Sequence, residues 1–300
     1  MFRPTAKINR SYLFHFFQSP STIKKLIGSQ VESARPNLSL TDIRFFKIVI
    51  PPKAEQTAIA TALNDADALI TQLEKLIAKK RNIKQGAMQE LLRPKKGWEV
   101  KSLFELAENK KELFDDGDWI EAEHITNQGI RLIQTGNIGI GKYIEKDTKK
   151  YIYEKSFENL KCKPLNEGDL LICRLAEPAG RACILPNIGE TNNITSVDVT
   201  IFRPRKEIAN RVFLANLFST SNWFKMVSER VGGTTHKRIS RSSLGKIEIS
   251  IPSIEEQTNI AQILSDMDAE IEALEKKLEK SKMLKQGMMQ ELMTGKTRLV

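Results

Sequence analysis

The sequence predicts an α+β chain: an irregular, largely antiparallel β-region plus two long helices that pair as an antiparallel coiled coil. Three observations carry this expectation. First, residues 50–92 realign with residues 251–293 at a constant offset of 201 without a gap, and 23 of the 43 positions are identical. That is an internal repeat, and repeats set architecture before any local propensity does. Second, each copy holds apolar residues at heptad spacing: Ile59, Leu63, Ala66, Ile70, Leu73 and Ile77 in the first, and Ile260, Leu264, Met267, Ile271, Leu274 and Leu278 in the second. Steps of four and three place them on one helix face, the pattern of a helix-pairing seam. Third, residues 115–200 alternate short apolar runs with Gly, Asn and Asp, which reads as short strands joined by turns.

In chain order, the repeat extends upstream of the helices. Asn9-Arg10 matches Asn210-Arg211, Leu13 matches Leu214, Phe17 matches Phe218, Lys24 matches Lys225 and Ser39 matches Ser240; Phe2-Arg3-Pro4 matches Phe202-Arg203-Pro204 at an offset of 200. Residues 1–52 therefore read as the C-terminal part of a globular unit. Pro51 and Pro252 sit where a helix can begin but not continue. Residues 53–94 are the first long helix, 95–252 a complete unit, 253–293 the second long helix and 294–300 a tail. About 38 helical residues at a rise of about 1.5 Å make a rod of about 55 Å. The seam slips near Lys80 and Ser281, and an apolar face resumes through Met88, Leu91, Met289 and Leu292.

Within the complete unit, Trp98–Asn109 reads as a strand or short helix. Apolar spacing over 208–231 predicts one or two helices stopped by Gly232-Gly233, then a polar basic loop and a strand from Lys246 to Ile251. Residues 97–201 have no upstream counterpart, so the first unit is expected to lack its N-terminal two-thirds. Phe14, Phe16, Phe17, Ile23, Leu26, Ile27, Phe45 and Phe46 should then find too little to bury against. An apolar patch of that kind predicts self-association or dependence on a partner.

Composition narrows the function classes. The 300 residues are 40% hydrophobic, enough for a real core. No run reaches the roughly 20 apolar residues of a membrane span, and the opening residues carry no apolar signal-peptide segment. Cys162, Cys173 and Cys183 fit neither a disulfide framework nor a zinc pattern, and are expected as reduced core thiols of a cytoplasmic protein. The net charge is +10. Residues 1–52 carry 8 basic and 2 acidic side chains, and residues 199–247 carry 10 basic and 2 acidic. Two such concentrations point to a polyanionic partner, nucleic acid ahead of membrane.

Catalytic patterns are weak. Gly136-Asn137-Ile138-Gly139-Ile140-Gly141-Lys142 satisfies GxxxxGK, but Tyr143 stands where a P-loop needs a magnesium-binding hydroxyl, and no helix start follows. A glycine-rich β-turn is the expectation. His15, His124 and His236 lack metal-ligand spacing, and Glu121 and Glu123 belong to no convincing nuclease set.

The boundary Ile-Pro-x-x-x-Glu-Gln-x-x-Ile-Ala-x-x-Leu-x-x-x-Asp, at 50–67 and again at 251–268, resembles that of the specificity subunits of type I restriction–modification systems. So do the Leu-Lys-Gln-Gly-Met-Met-Gln-Glu-Leu run at 284–292, the Glu167-Gly168-Asp169-Leu170-Leu171-Ile172 strand entry and the Gly-Gly-Thr-Thr-His-Lys loop at 232–237. The resemblance covers essentially the whole chain. It implies two target-recognition domains, each reading one half of a split site in double-stranded DNA, with the two helices as a spacer. Implied partners are methyltransferase (M) subunits, using S-adenosylmethionine, and restriction–translocase (R) subunits, using ATP and Mg; no cofactor is expected in this chain. A departure from the family is the shortened first domain, which leaves room for a separate half-subunit partner or a second copy.

The rod would separate two units by more than one DNA turn of about 34 Å. Candidate DNA contacts are His236, Lys237, Arg238 and Arg241 on the Gly-primed loop, then Arg174 and Arg181 flanking Leu175–Gly180. Arg35, Asn37 and Arg44 are the candidates in the first segment. Three function classes stay open: a non-catalytic DNA-recognition subunit, a nuclease or ATPase with cryptic motifs, and a silent fragment acting only as a helical assembly module.

Overall fold

The computed structural model describes residues 5–28, 44–233 and 237–299. It divides into two compact units, residues 1–83 with 267–300, and residues 84–266. Arg35, Asn37, His236 and the Phe2-Arg3-Pro4 match lie outside the described residues.

The first unit opens with α1 (Arg10–Gln18) and α2 (Pro20–Gly28). Asn9 caps α1, its side chain accepting from the amides of Ser11 and Tyr12, which satisfies two of the otherwise orphaned N–H groups of the first turn. Two long helices follow the repeat: α3 (Lys53–Leu91) and, much later in the chain, a second spanning Ile254–Met293. Within this unit they run antiparallel. Asp67 pairs with Lys285 at 2.5 Å, Glu74 with Lys282 at 3.2 Å and Arg81 with Glu275 at 2.5 Å, so numbers rise on one helix as they fall on the other.

The two outer pairs are exposed, and such pairs contribute little; the apolar contacts hold the helices. Ile59, Ala60 and Leu63 form one cluster with Met289, Leu292 and Met293, and α1 adds Tyr12 and Phe16. Leu73, Ile77 and Ile271 are buried, and Ile70, Met267, Leu274 and Leu278 are half-buried. The tail returns to the start of α3, where Arg298 grips Glu55 through two hydrogen bonds of 2.5 and 2.6 Å. That bond holds the Glu55 carboxyl below the usual carboxylate range.

The expected burial shortfall is only partly found. Phe16 is buried and Phe46 packs beside it, because the far end of the second long helix covers them. Phe14, Ile23, Ile27 and Phe45 remain exposed. The expectation looked for cover from a β-region, and a helix end supplies it instead.

The second unit begins with β1 (Glu99–Ser102) running into α4 (Leu103–Leu106), so Trp98–Asn109 holds both a strand and a short helix. Ser102 and Glu105 form a reciprocal capping box at the junction. The strands β2 (Phe114–Asp116), β3 (Ile125–Thr126), β4 (Ile130–Ile133) and β5 (Tyr151–Ile152) follow, then α5 (Glu154–Asn159). After them come β6 (Leu170–Cys173), β7 (Ala182–Ile184), β8 (Asn193–Thr195) and β9 (Val199–Phe202). One sheet has the order β2-β9-β6-β7, all antiparallel; the other has β3-β5-β4-β8, with β4 and β8 parallel.

Helices α6 (Arg211–Leu217), α7 (Ser221–Ser228) and α8 (Arg241–Gly245) then lead into β10 (Glu248–Ile251), which pairs with β1, and the second long helix is α9. All three cysteines are buried and unpaired. Burial pushes the Cys183 thiol up to about 12 and Cys162 up to about 11, which keeps both protonated and unreactive at neutral pH. The GxxxxGK segment is a turn: a short 3₁₀ stretch at Thr135–Asn137 precedes a bridge between Ile138 and Tyr143.

The repeat is built on a duplicated hydrogen-bond node, one in each unit. Gln56 Oε1 accepts from the Asn9 amide at 2.8 Å, while its Nε2 donates to the carbonyls of Lys7 at 3.2 Å and Pro51 at 2.8 Å. Gln257 repeats this with the Asn210 amide at 2.9 Å and the carbonyls of Ile208 at 3.5 Å and Pro252 at 2.9 Å. Both glutamines are 1% exposed. Each stitches the entry to its helix onto the helix cap of its globular end, which is why the glutamine recurs at matched spacing. Gln257→Ala should therefore cost on the order of 3 kcal/mol in chemical denaturation, because it leaves buried backbone groups unsatisfied. Gln257→Glu should do no better: it keeps the acceptor for the Asn210 amide but sets a buried carboxylate oxygen against the Ile208 and Pro252 carbonyls.

Candidate nucleic-acid interface

Two loops that are far apart in sequence are knitted together in the second unit. The Ala176 amide donates to the Lys237 carbonyl at 3.0 Å, and the Ile239 amide donates to the Arg174 carbonyl at 3.0 Å. Gly232 and Arg238 exchange two backbone hydrogen bonds, of 3.1 and 3.0 Å, closing the second loop at its base. A groove of about 310 Å³ lies between them, lined by Glu177, Pro178, Phe224, Ser228, Gly233 and Lys237, among others. Trp223, fully buried on α7, donates from Nε1 to the Gly180 carbonyl at 2.8 Å and anchors the first loop from beneath. Gly180 has φ +90, and a Cβ there would press on Trp223 and Val227, so glycine is required for this close approach.

The sequence-predicted residues separate into two groups here. Lys237 is exposed and carries no ion pair among the described residues. Arg238 pairs with Asp198 at 3.3 Å, but its side chain is 55% exposed. An exposed pair of that kind is weak, and a phosphate can replace the carboxylate. Both side chains face solvent.

Arg174 is buried, which contradicts its expected DNA contact, whereas Arg181 is half-buried and tied to backbone carbonyls. Arg174 is 4% exposed. Its guanidinium donates to the carbonyls of Ile239 at 3.1 Å and Val197 at 2.5 Å, and its Nε lies 3.1 Å from Asp116. Arg181 donates to the carbonyls of Ile138 at 2.9 Å, Pro178 at 2.9 Å and Thr135 at 3.3 Å. Both arginines hold the loops in shape. Position beside the 175–180 loop could not reveal this, because all but one of the carbonyls they bind, that of Pro178, come from other segments.

Arg241 is intermediate. It is half-buried at the start of α8 and pairs with Asp115, which also faces Lys163 at 3.5 Å. Asp116 and Asp118 sit in the same acidic row, and burial raises both carboxyls. The row with Arg174, Arg241 and Lys163 is a structural network under the loops. Among the described residues no His, Cys, Asp or Glu cluster could hold a metal ion. Arg44 is exposed and belongs to the other unit. Sequence reading passed over Lys225, which is exposed on α7 next to groove-lining Phe224; the basic count of residues 199–247 was the only available signal for it.

The duplicated helix entries, the paired long helices and the basic two-loop surface define a class of protein. The family model described as the type I restriction modification DNA specificity domain matches residues 1–85 and 95–281, and the chain belongs to that family. Among individual relatives, the chain is 27% identical over 300 residues to the type I restriction enzyme MjaVIII specificity subunit of Methanocaldococcus jannaschii, covering 95% of this chain and 70% of that protein. It is 26% identical to the putative MjaX specificity subunit of the same organism, covering 96% and 67%.

Solved structures agree on the fold. The HsdS subunit of Thermoanaerobacter tengcongensis matches with a TM-score of 0.53 at 18% identity, covering 97% of this chain and 71% of that one. The S subunit from M. genitalium matches with a TM-score of 0.58 at 15% identity, covering 96% and 73%.

Proposed function

We propose that this specificity-family chain is the non-catalytic DNA-recognition subunit of a type I restriction–modification complex, reading duplex DNA through the paired 174–181 and 232–241 loops. Partner methyltransferase subunits would methylate adenine with S-adenosylmethionine, and restriction–translocase subunits would supply ATP- and Mg-dependent cleavage. The observation that carries the reading is the knitted loop pair. It holds Lys237 and Arg238 outward on a frame built from Arg174, Arg181 and Trp223. Lysine and arginine on such a frame supply phosphate affinity and base-edge hydrogen bonding together.

A second reading, a helical assembly module without readout, is favoured by one feature of the first unit. Met283 and Leu284 are exposed on α9 beside an apolar groove of about 510 Å³.

One experiment separates the two. The chain is co-purified with methyltransferase subunits and offered a randomised duplex library over repeated selection. Recovery of a consensus bound at least about a thousandfold more tightly than random duplex, the ordinary lower margin for specific binders, supports recognition. A complex that forms but enriches no sequence supports the assembly module.

A further inference from the structure

Glu177 is the single acidic residue of the two loops. Residues 174–181 and 232–241 set five basic side chains, Arg174, Arg181, Lys237, Arg238 and Arg241, against it. Other carboxylates at this end of the unit each face a cation: Asp115 faces Arg241, Asp116 faces Arg174 at 3.1 Å and Asp198 faces Arg238 at 3.3 Å. Glu177 is exposed, and among the described residues its side chain makes no ion pair and no hydrogen bond. Lys237 lines the same groove without pairing with it.

The backbone that carries Glu177 is fixed on both sides. Before it, the Ala176 amide donates to the Lys237 carbonyl at 3.0 Å. After it, the Pro178 carbonyl accepts from Arg181 at 2.9 Å, and Ala179 is buried. The Gly180 amide donates to the Cys173 carbonyl at 2.7 Å, and the Gly180 carbonyl accepts from Trp223 at 2.8 Å. The carboxyl therefore projects from a pre-set frame, beside the apolar groove walls of Pro178 and Phe224. An anion there works against phosphate binding, because like charges repel. At a base edge the same group is useful. A carboxylate only accepts hydrogen bonds. In the major groove, guanine presents the acceptors O6 and N7 and thymine the acceptor O4; adenine sets an N7 acceptor beside its N6 donor. Cytosine is the one base whose polar edge there, the N4 amino group, only donates.

We propose that Glu177 is a specificity-determining residue: it selects cytosine by accepting a hydrogen bond from the N4 amino group, while Lys237 and Arg238 hold neighbouring phosphates. This deepens the recognition reading given above and rests on it. The division of labour follows from charge. Cations position the duplex without regard to sequence, and the lone carboxylate rejects the bases that present acceptors.

The test uses the full chain and its Glu177→Gln and Glu177→Ala variants, each co-purified with methyltransferase subunits and put through the randomised-duplex selection. The parent consensus is expected to contain cytosine. Each consensus cytosine, on either strand, is then replaced in turn by N4-methylcytosine, which puts a methyl group in place of the amino hydrogen that faces the major groove. At one position this should weaken parent binding about tenfold or more, the order of one base-edge contact. There Glu177→Ala should lose both the cytosine preference and the methyl penalty. Glu177→Gln should shift the preference toward adenine, whose N6 and N7 an amide matches. Other positions should stay as in the parent, and binding to random duplex should rise in both variants, because an anion has left the surface. A parent consensus that both variants reproduce unchanged, with only overall affinity raised, would make Glu177 a bystander charge and overturn the proposal. A methyl penalty that persists in Glu177→Ala would also overturn it. A parent complex that enriches no sequence would instead remove the recognition reading itself, and this proposal with it.

Discussion

Arg174→Ala is expected to destabilise the 84–266 unit by about 3–5 kcal/mol, the usual cost of removing one partner from a buried ion pair. Two carbonyls lose their donor together, those of Ile239 and Val197, and the Asp116 carboxylate loses its ion-pair partner. Ile239 lies just beyond the 232–238 loop and Val197 just before β9, so the loop pair would loosen first. A pH signature accompanies the loss. Burial already raises the Asp116 carboxyl with Arg174 in place, and Arg174 works against that rise. Without the arginine the folded-state pKa climbs further above the unfolded value. The added penalty is then complete above the raised pKa and disappears as pH falls below the unfolded one. Urea denaturation at pH 7 and near pH 4 should show a wide gap between variant and parent that narrows in acid. A gap independent of pH would mean that Asp116 takes no part.

Lys237→Ala with Arg238→Ala is expected to do the opposite: leave stability within about 0.5 kcal/mol, as exposed substitutions generally do, and weaken DNA binding by the assembled methyltransferase complex. Each cation that meets a phosphate releases a counterion, so removing two should lower the slope of log affinity against log salt by up to about 2. Arg238 gives up only an exposed pair with Asp198, and Lys237 contributes its backbone, not its side chain, to the frame. The double variant therefore separates binding from folding. Titration at several salt concentrations is the measurement. Unchanged affinity and unchanged slope would remove this loop from the interface.

Set side by side, the two variants show how far residue type and position carry. Arg174 and Lys237 are both basic, and both flank Gly-containing loops. One is an internal strut and the other is exposed. Sequence patterns report the chemistry a side chain can perform, and burial decides whether that chemistry is spent inside. The Val197 and Ile239 carbonyls that claim Arg174 lie 23 and 65 residues away, beyond the reach of any local pattern.

What the sequence by itself determined is whatever local periodicity and self-similarity encode. The offset of 201, the heptad seam and the prolines at 51 and 252 were sufficient for two long paired helices. Short apolar runs broken by Gly and Asn were sufficient for an irregular β-region, and Tyr143 after Lys142 was sufficient to read the GxxxxGK stretch as a turn. Tertiary structure alone decided the strand order, including the parallel β4–β8 pair, since pairing partners share no local signal. It also decided that Phe16 is covered by the far end of α9 while Phe14 stays exposed, because apolar patterning shows that a face must be covered but not by what. And it decided which cations face outward. A charge reaches solvent only if the surrounding fold leaves no buried acceptor near it, and those acceptors are brought together from distant parts of the chain.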